Sequence, residues 1–457
     1  MEYVIGVILI ISFIGIAVYC IRGGNLMMGM LIMAGLWTLL VIIGKLAVTN
    51  PAFIAENEVA TSKTVPEILD QVFTSGPVGW GVVLVNVCFG AFFGRVMLDT
   101  GIVSTLIRKT VELSGDKPAI TVVLLSIVAA ACFTTMTGPG AVISIAIIIL
   151  PIFLSLGIPK KVALFAYMFS IQAGFVLNPV IFSQYVAYFK DTKGNLDYTY
   201  DQNLRFAIHT LLVIIICTML VTVYLIQKNR KKTKNWATKI PNEGVVTPEA
   251  PANAPGYALF TPIVPVLLVI IFKLPIIFAI LLASLYALVC CGKMKTFPDA
   301  VRSFSKAFHD GVVDSAPIMG FFLTVPMFCQ AALLCAPYFK ALLGPIVPTA
   351  ALPLCIIFMV LAPLGMFRGP FTIMGAGAVT VAILQGLGFS TVLLFPLLAT
   401  TTLIMNCCAC PTQSWISWGL GYTKTPLNEY LKLSIPCGWI ISIINIAIVY
   451  FTAGINL

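Results

Sequence analysis

Charge is what this sequence lacks. Only 10% of its 457 residues are Asp, Glu, Lys or Arg, against about 25% in an ordinary soluble domain. Such a chain cannot cover itself with a water-compatible surface, so its solvent is lipid. Histidine is nearly absent, with His209 and His309 the only two. An integral membrane enzyme needs a paired His/Asp/Glu or metal cluster at a membrane face, and these residues do not supply one. No Gly-x-x-x-x-Gly-Lys-Ser/Thr phosphate loop is present, which argues against an ATP-driven pump. The polar stretches reach only about 30 residues, too short for a fused catalytic or nucleotide-binding domain. Short alternating strands, the mark of a membrane barrel, are missing, and so is the continuous polar lining of a channel. No cofactor and no metal is expected.

What the chain has instead is long apolar runs. They cover 3–21, 25–44, 79–98, 119–136, 140–157, 210–226, 258–272, 275–291, 311–336, 351–367, 390–405 and 435–453. Each is near the ~20 residues that a bilayer-spanning helix needs. Hydrophobic residues make up 60% of the chain and the mean hydropathy is +1.03. The expected fold is an all-α polytopic membrane protein of about 10 full spans plus two hairpins, or 12–14 helices. The first run, Tyr3 to Tyr19, has no basic segment before it and reads as a retained helix. The thirteen cysteines are scattered in apolar segments, where Cys behaves as a small hydrophobe, and they outline no disulfide framework.

The net charge of +10 carries orientation. Lys228, Arg230, Lys231, Lys232, Lys234 and Lys239 crowd one loop, which the positive-inside rule puts in the cytoplasm. That run abuts an apolar helix, which disfavours a nucleic-acid patch. The stretch Asn50–Pro77 carries Glu56, Glu58, Glu67 and Asp70 against Lys63 and suits the outside. The polar segment 228–256 reads as a cytoplasmic linker between halves. The divisions are 1–78 (N-terminal helices and external segment), 79–227 (first repeat), 228–256 (linker), 257–310 (two connecting helices) and 311–457 (second repeat).

The halves share an order of features. Gly138-Pro139-Gly140-Ala141-Val142 is followed by Leu156-Gly157 and a break at Asn178-Pro179. Gly375-Ala376-Gly377-Ala378-Val379 is followed by Leu387-Gly388 and a break over Asn406–Pro411. From Gly157 to Pro179 is 22 positions, and from Gly388 to Pro411 is 23. Counting spans from the basic loop sets the first repeat heading inward and the second outward. Inverted repeats of this kind are common in secondary transporters.

Four polar, helix-breaking runs interrupt the apolar segments: Thr134–Gly140, Gly174–Gln184, Arg368–Gly377 and Asn406–Ser414. Unpaired backbone is costly in hydrocarbon and persists where it lines a cavity. Freed helix N-termini suit a carboxylate, and unwound carbonyls suit a cation. None of the four runs holds an Asp or Glu. That favours an organic anion over Na⁺/H⁺ antiport, the alternative, because exchangers need buried carboxylates. Candidate substrate contacts are Thr134, Thr135, Thr137, Gly138, Gly140, Asn178, Arg368, Gly369, Thr372, Gly375, Asn406, Thr412 and Ser414. Candidate cation-coupling residues are Asn178, Gln184, Asp99 and Asp314.

Single residues admit two readings. Arg368 suits a substrate carboxylate or snorkels to an interface. Arg95 and Asp99 are four apart on one helix and are expected to pair, with Asp99 as a proton site the second reading. Asp314 is either an intramembrane functional carboxylate or a helix-start residue at the interface. His209 follows Arg205 and is expected at the interface. Cys407, Cys408 and Cys410 lack a nearby His and read as small packing residues rather than metal ligands. Trp415 and Trp418 suit a pocket wall or an interfacial belt.

The run Gly79–Pro179 resembles the gluconate permease family. It has a Gly-rich helix ending in Gly94-Arg95-x-x-x-Asp99-x-Gly101, a polar turn, an apolar run ending in Leu150-Pro151, and a broken helix with Pro179. Ser315–Pro436 is similar to that family's C-terminal half. Thr134–Pro151 also resembles the citrate–proton and dicarboxylate carriers of the ion transporter superfamily. The likeness covers about three quarters of the chain. It implies two re-entrant hairpins with tips at Thr134–Gly140 and Arg368–Gly377, helix breaks at Asn178-Pro179 and Asn406–Thr412, a homodimeric scaffold and an elevator motion. It also implies symport of a small organic anion such as gluconate, citrate or a dicarboxylate with H⁺ or Na⁺, across the bacterial inner membrane. The sequence departs from these families in places. Thr134-Thr135-Met136-Thr137 stands where gluconate permeases carry an aromatic-acidic element. Val176-Leu177-Asn178-Pro179 replaces their His-Pro-rich break, and the dicarboxylate carriers' paired Ser-Asn-Thr signatures are absent.

Overall fold

The computed structural model describes residues 1–22, 24–56, 62–115, 117–190, 195–229, 253–345, 347–348 and 350–454. Glu58, Arg230, Lys231, Lys232, Lys234, Lys239 and most of the 228–256 linker lie outside the described residues. Every regular element among the described residues is helical, and ten helices are long and apolar enough to cross a membrane. The protein is an all-α polytopic membrane protein.

The first half runs α1 (Glu2–Ile21), α2 (Leu26–Ala47), α3 (Gly81–Asp99), α4 (Ile102–Ser114), α5 (Pro118–Phe133), α6 (Gly138–Ser155), α7 (Lys160–Leu177), α8 (Pro179–Val186) and α9 (Tyr200–Asn229). Two connecting helices follow, α10 (Val264–Phe272) and α11 (Ile276–Cys290). The second half has α12 (Phe297–Leu343), α13 (Ala351–Leu361), α14 (Gly377–Gly386), α15 (Thr391–Thr401), α16 (Ser414–Thr423) and α17 (Leu427–Val449).

Each interruption has a local cause. Gly138 adopts φ +89, a left-handed conformation that favours glycine, and Pro139 then sits in the first turn of α6. Asn178 precedes proline and is extended (φ −74, ψ 117), as the steric demand of a following proline ring dictates. In the second half a 3₁₀ stretch over Ala362–Arg368 ends in two left-handed non-glycine residues, Phe367 (φ 53) and Arg368 (φ 60). A π-helical stretch, Thr402–Ala409, extends α15 and ends at extended Cys410, again before proline. At 10 residues α14 is about 15 Å long, half the depth of a bilayer core.

Two layers hold these elements. One is built on α12, which has 47 residues and a length of about 70 Å. It packs along α2 and α3 and touches α1, α6 and α14. The expected span starting at Gly311 is therefore the middle of a longer helix, and a division at 310/311 falls inside it. The sequence carries no stop signal between Phe297 and Gly311, because the polar first turns project beyond the apolar depth without leaving the helix. Trp37 of α2 is fully buried against Phe328 and Phe339 of α12, with ring centroids 5.2 and 5.4 Å away. Phe92 of α3 meets Phe304 and Phe308 at 4.9 and 5.6 Å.

The second layer contains α5, α7, α9, α15, the π stretch and α17: α7 packs on α5, α9, the π stretch and α17, and α15 packs on α9, α17 and the π stretch. The segments Lys160–Leu177 and Thr391–Thr423 are 83% and 94% buried, against 28–56% for the other spans. The two helices that precede the proline breaks are thus enclosed by protein, as exposed polar backbone inside a bilayer requires.

The crossing of α12 and α3 within the first layer is sterically tight. A methyl group on Gly311 would lie 2.6 Å from the Phe92 amide nitrogen of α3. Gly311→Ala is expected to lower the thermal midpoint in detergent by several degrees, the signature of about 1–3 kcal/mol of overpacking. Gly35→Ala, with open space around it, is expected to leave the midpoint unchanged or slightly raised.

Candidate functional site

The Asn178 side chain joins two breaks. Its Nδ2 donates to the carbonyl oxygens of Phe133 (3.0 Å) and Met136 (3.1 Å), at the turn between α5 and α6. Its Oδ1 accepts from the amides of Val180 (2.9 Å) and Ile181 (3.3 Å), capping α8. The residue is fully buried. One amide group therefore saturates backbone freed at both interruptions.

The second half reaches the same end with hydroxyls and a thiol. Thr401 Oγ1 donates to the Phe371 carbonyl at 2.5 Å, and the Ile373 amide donates to Thr402 Oγ1 at 2.9 Å. The Phe367 amide donates to Cys410 Sγ at 3.0 Å. Thr372 Oγ1 donates to the Gly365 carbonyl. A methyl group on Gly375 would sit 2.5 Å from the Arg368 carbonyl, so the tip closes on itself only because that residue is glycine.

Between the layers lies a cavity of about 450 Å³, within the range of small-molecule sites. One wall comes from Asn25, Leu26 and Met27 at the start of α2, Val87 and Ala91 of α3, and Asp314, Ser315, Ile318 and Phe321 of α12. The other comes from all four interruptions: Thr137, Gly138 and Pro139; Phe175, Ile181, Gln184 and Tyr185; Arg368 and Met374; and Cys407, Gln413, Ser414 and Trp415. Two helices begin at this surface, α6 at Gly138 and α16 at Ser414, and neither has a side-chain cap. First-turn N–H groups of an uncapped helix have no intrahelical partner and suit an anion.

Arg368 Nη1 donates to the Met374 carbonyl at 3.1 Å, and no carboxylate among the described residues pairs with it. Asp314 is the acid of the cavity wall. Arg95 forks onto it, Nε to Oδ2 and Nη2 to Oδ1, both at 2.6 Å. The expected Arg95–Asp99 pair gives way to this one, because the close approach of α3 and α12 at Gly311 brings Asp314 to the guanidinium in bidentate geometry. Gly140, in the first turn of α6, lies directly against the Asp314 carboxylate.

Of the sequence-predicted contacts, Thr137, Gly138, Gln184, Asp314, Arg368 and Ser414 line the cavity. The others do not. Thr135 Oγ1 donates to the Pro262 carbonyl at 2.9 Å, and Thr134 Oγ1 to Ala131 at 2.7 Å. Gly140 stands behind Asp314, Thr412 meets Cys410 Sγ at 3.0 Å, and Gly369, Thr372 and Gly375 shape the second tip. Asn406 is fully buried in the π stretch with both amide atoms unpaired. Asp99 is outside the cavity lining.

Trp415 belongs to the pocket wall, its Nε1 donating to the Cys407 carbonyl at 3.1 Å, while Trp418 stacks on Tyr422 at 4.8 Å. His209 is exposed. No group of three or more His, Cys, Asp or Glu among the described residues is arranged to hold a metal. Apart from Asp314, sequence reasoning missed the wall from α2, α3 and α12. Only Asn25, a polar cap at a helix start, offered a signal there.

No family model matches the chain, and no curated protein matches it. Among solved structures, the crystal structure of the Alcanivorax borkumensis YdaH transporter, described as having an unusual topology, is similar over 95% of this chain and 99% of that one. Its TM-score is 0.64 at 15% identity. The chain therefore shares its overall fold with that protein. The resemblance to gluconate permeases and citrate carriers, drawn from motif order, finds no support in these comparisons.

Replacing Asn178 tests the stitch. Asn178→Leu orphans two buried carbonyls and uncaps α8, at about 1–3 kcal/mol for each group left unsatisfied. The expected outcome in detergent is a clearly lower melting midpoint. A midpoint equal to wild type contradicts the bridging role.

Proposed function

We propose that the protein is a secondary active transporter that carries a small organic anion across the bacterial inner membrane, coupled to H⁺ or Na⁺. The observation that carries this reading is Arg368, a guanidinium at the second tip that lines the cavity with no carboxylate partner among the described residues. Around it stand the uncapped N-terminus of α16 and the hydroxyl, amide and backbone groups of Thr137, Gly138, Gln184 and Ser414. An arginine fork and free N–H donors are the chemistry that receives a carboxylate. Fold-level likeness to YdaH supports transport rather than catalysis.

The position of the cavity supports an elevator motion. It lies at the seam between the α12 layer and the layer bearing the four interruptions, so sliding one past the other would carry the ligand. In this reading the halves are inverted repeats divided at the 228–256 linker, which faces the cytoplasm, and the protein works as a homodimer. The motif order supports a relation to gluconate permeases and citrate carriers. Asp314, at the cavity wall, is the candidate coupling group. Na⁺/H⁺ exchange is less well served, because that one cavity carboxylate is already held by Arg95.

Radiolabelled uptake in proteoliposomes, screening gluconate, citrate, C4-dicarboxylates and monocarboxylates under imposed H⁺ or Na⁺ gradients, tests the reading. An organic anion is expected to accumulate. Cation exchange alone would sink it. Arg368→Gln is expected to cut uptake about tenfold or more, since a hydrogen bond to a charged group contributes about 1.5–3 kcal/mol. Arg368→Lys is expected to recover part of it.

A further inference from the structure

The cavity's polar side chains are mostly committed to the protein. Asn25 caps α2, Ser315 donates to Val312, and Tyr185, Gln413 and Trp415 all engage Cys407. What remains for a ligand is the Arg368 guanidinium with Thr137, Gln184 and Ser414, none of which bonds a described residue through its side chain except Arg368 at Met374. The rest of the surface is apolar: Val87, Phe175, Ile181, Ile318, Phe321 and Trp415. A sugar acid presents a hydroxyl on nearly every carbon, and each one buried without a partner costs about 1–3 kcal/mol. This lining leaves most of them unmatched.

The charges count to one. Asp314 is neutralised by Arg95 and, lying against the first turn of α6, also takes up that helix's terminal partial charge. Beyond Arg95, Asp99 and Asp310 have Lys306 and Lys293 as neighbours. Neither α6 nor α14 carries a titratable residue. On α1 and α2, Glu2 and Lys45 are bonded outside the cavity, to Asn50 and to the Lys63 carbonyl, and Arg22 is exposed. Arg368 is left as a single formal positive charge at a largely apolar cavity, where an unmatched charge is penalised.

We infer that the substrate is a singly charged amphipathic organic acid, with one carboxylate on an aromatic or branched aliphatic body. The carboxylate sits on Arg368 and the body lies against Phe175, Trp415 and the Ile318–Phe321 face of α12. A second carboxylate would meet apolar wall and the Asp314 carboxylate. This rests on the transport reading and narrows it away from gluconate, citrate and C4-dicarboxylates.

The test uses the full chain in proteoliposomes at about pH 8, where both groups of a diacid are ionised. Uptake of 3-phenylpropionate is compared with phenylsuccinate, which adds a second carboxylate to the same body, and with gluconate and citrate. The monoacid is expected to be preferred about tenfold or more, the scale of one added charge at close range. Asp314→Asn raises the site charge by one and is expected to shift the phenylsuccinate-to-phenylpropionate ratio about tenfold toward the diacid. The double variant R95Q/D314N restores the single charge and is expected to restore the monoacid preference. Preferred uptake of phenylsuccinate, gluconate or citrate by the wild type overturns the inference but leaves organic-anion transport standing. An unshifted ratio in Asp314→Asn overturns the charge count. Absence of any organic-anion uptake overturns both. Should Asp314→Asn fail to reconstitute, the wild-type comparison alone decides.

Discussion

A backbone that leaves its helix inside a bilayer must have its N–H and C=O groups paired by something other than water. The architecture follows from that constraint. In the first half one residue meets it: Asn178 donates to two carbonyls at the α5–α6 turn and accepts from two amides at the start of α8. In the second half Thr401, Thr402, Thr372 and Cys410 divide the same task. Each solution ties a turn to the break that follows it in sequence, so the polar interruptions are fixed to one another before any ligand arrives. Unwound backbone also needs cover, and the two segments that carry the breaks are the most enclosed of the ten candidate spans among the described residues.

With their backbone paired internally, the four interruptions can end at a common surface. That surface is completed by a different layer, the long α12 with α2 and α3. Aromatic packing of Trp37, Phe328 and Phe339 on one side of α12, and of Phe92, Phe304 and Phe308 on another, holds that layer as a unit. The backbone contact at Gly311 brings Asp314 within reach of Arg95. The pair sits where the layers meet and Gly140 touches it, so its charge state and the position of α6 are physically joined. Electrostatically the site is simple: one acid held by one base, and one further guanidinium facing open space.

Much of this was legible in the sequence, and the reasons are local. Low charge and repeated apolar runs give a polytopic helical protein because bilayer thickness sets helix length. The breaks at Asn178-Pro179 and Cys410-Pro411 could be read because proline constrains its predecessor whatever the surroundings. Five of the named site residues, Thr137, Gly138, Gln184, Arg368 and Ser414, line the cavity for the same reason: a break that must be polar and must be enclosed leaves few places for its side chains to go. Other readings failed where the decisive partner was distant. Thr134 and Thr135 look like ligand donors until the Pro262 carbonyl arrives from the connecting segment. Arg95 and Asp99 satisfy the four-residue rule, yet a carboxylate 219 positions away takes the fork.

By itself, then, the sequence determined the solvent, the helices and the places where they must break, because hydropathy, proline and glycine act over a few residues. Only the tertiary structure decided which side of each break faces the cavity, which apolar helices close it, and which charge is left unpaired. Those outcomes depend on backbone approach between helices far apart in the chain, set at Gly311 by the absence of a side chain and at Asn178 by a four-bond amide. The opening scarcity of charge thereby acquires a location: the chain has few charges, and the fold neutralises Asp314 at the cavity while leaving Arg368 without an acidic partner among the described residues.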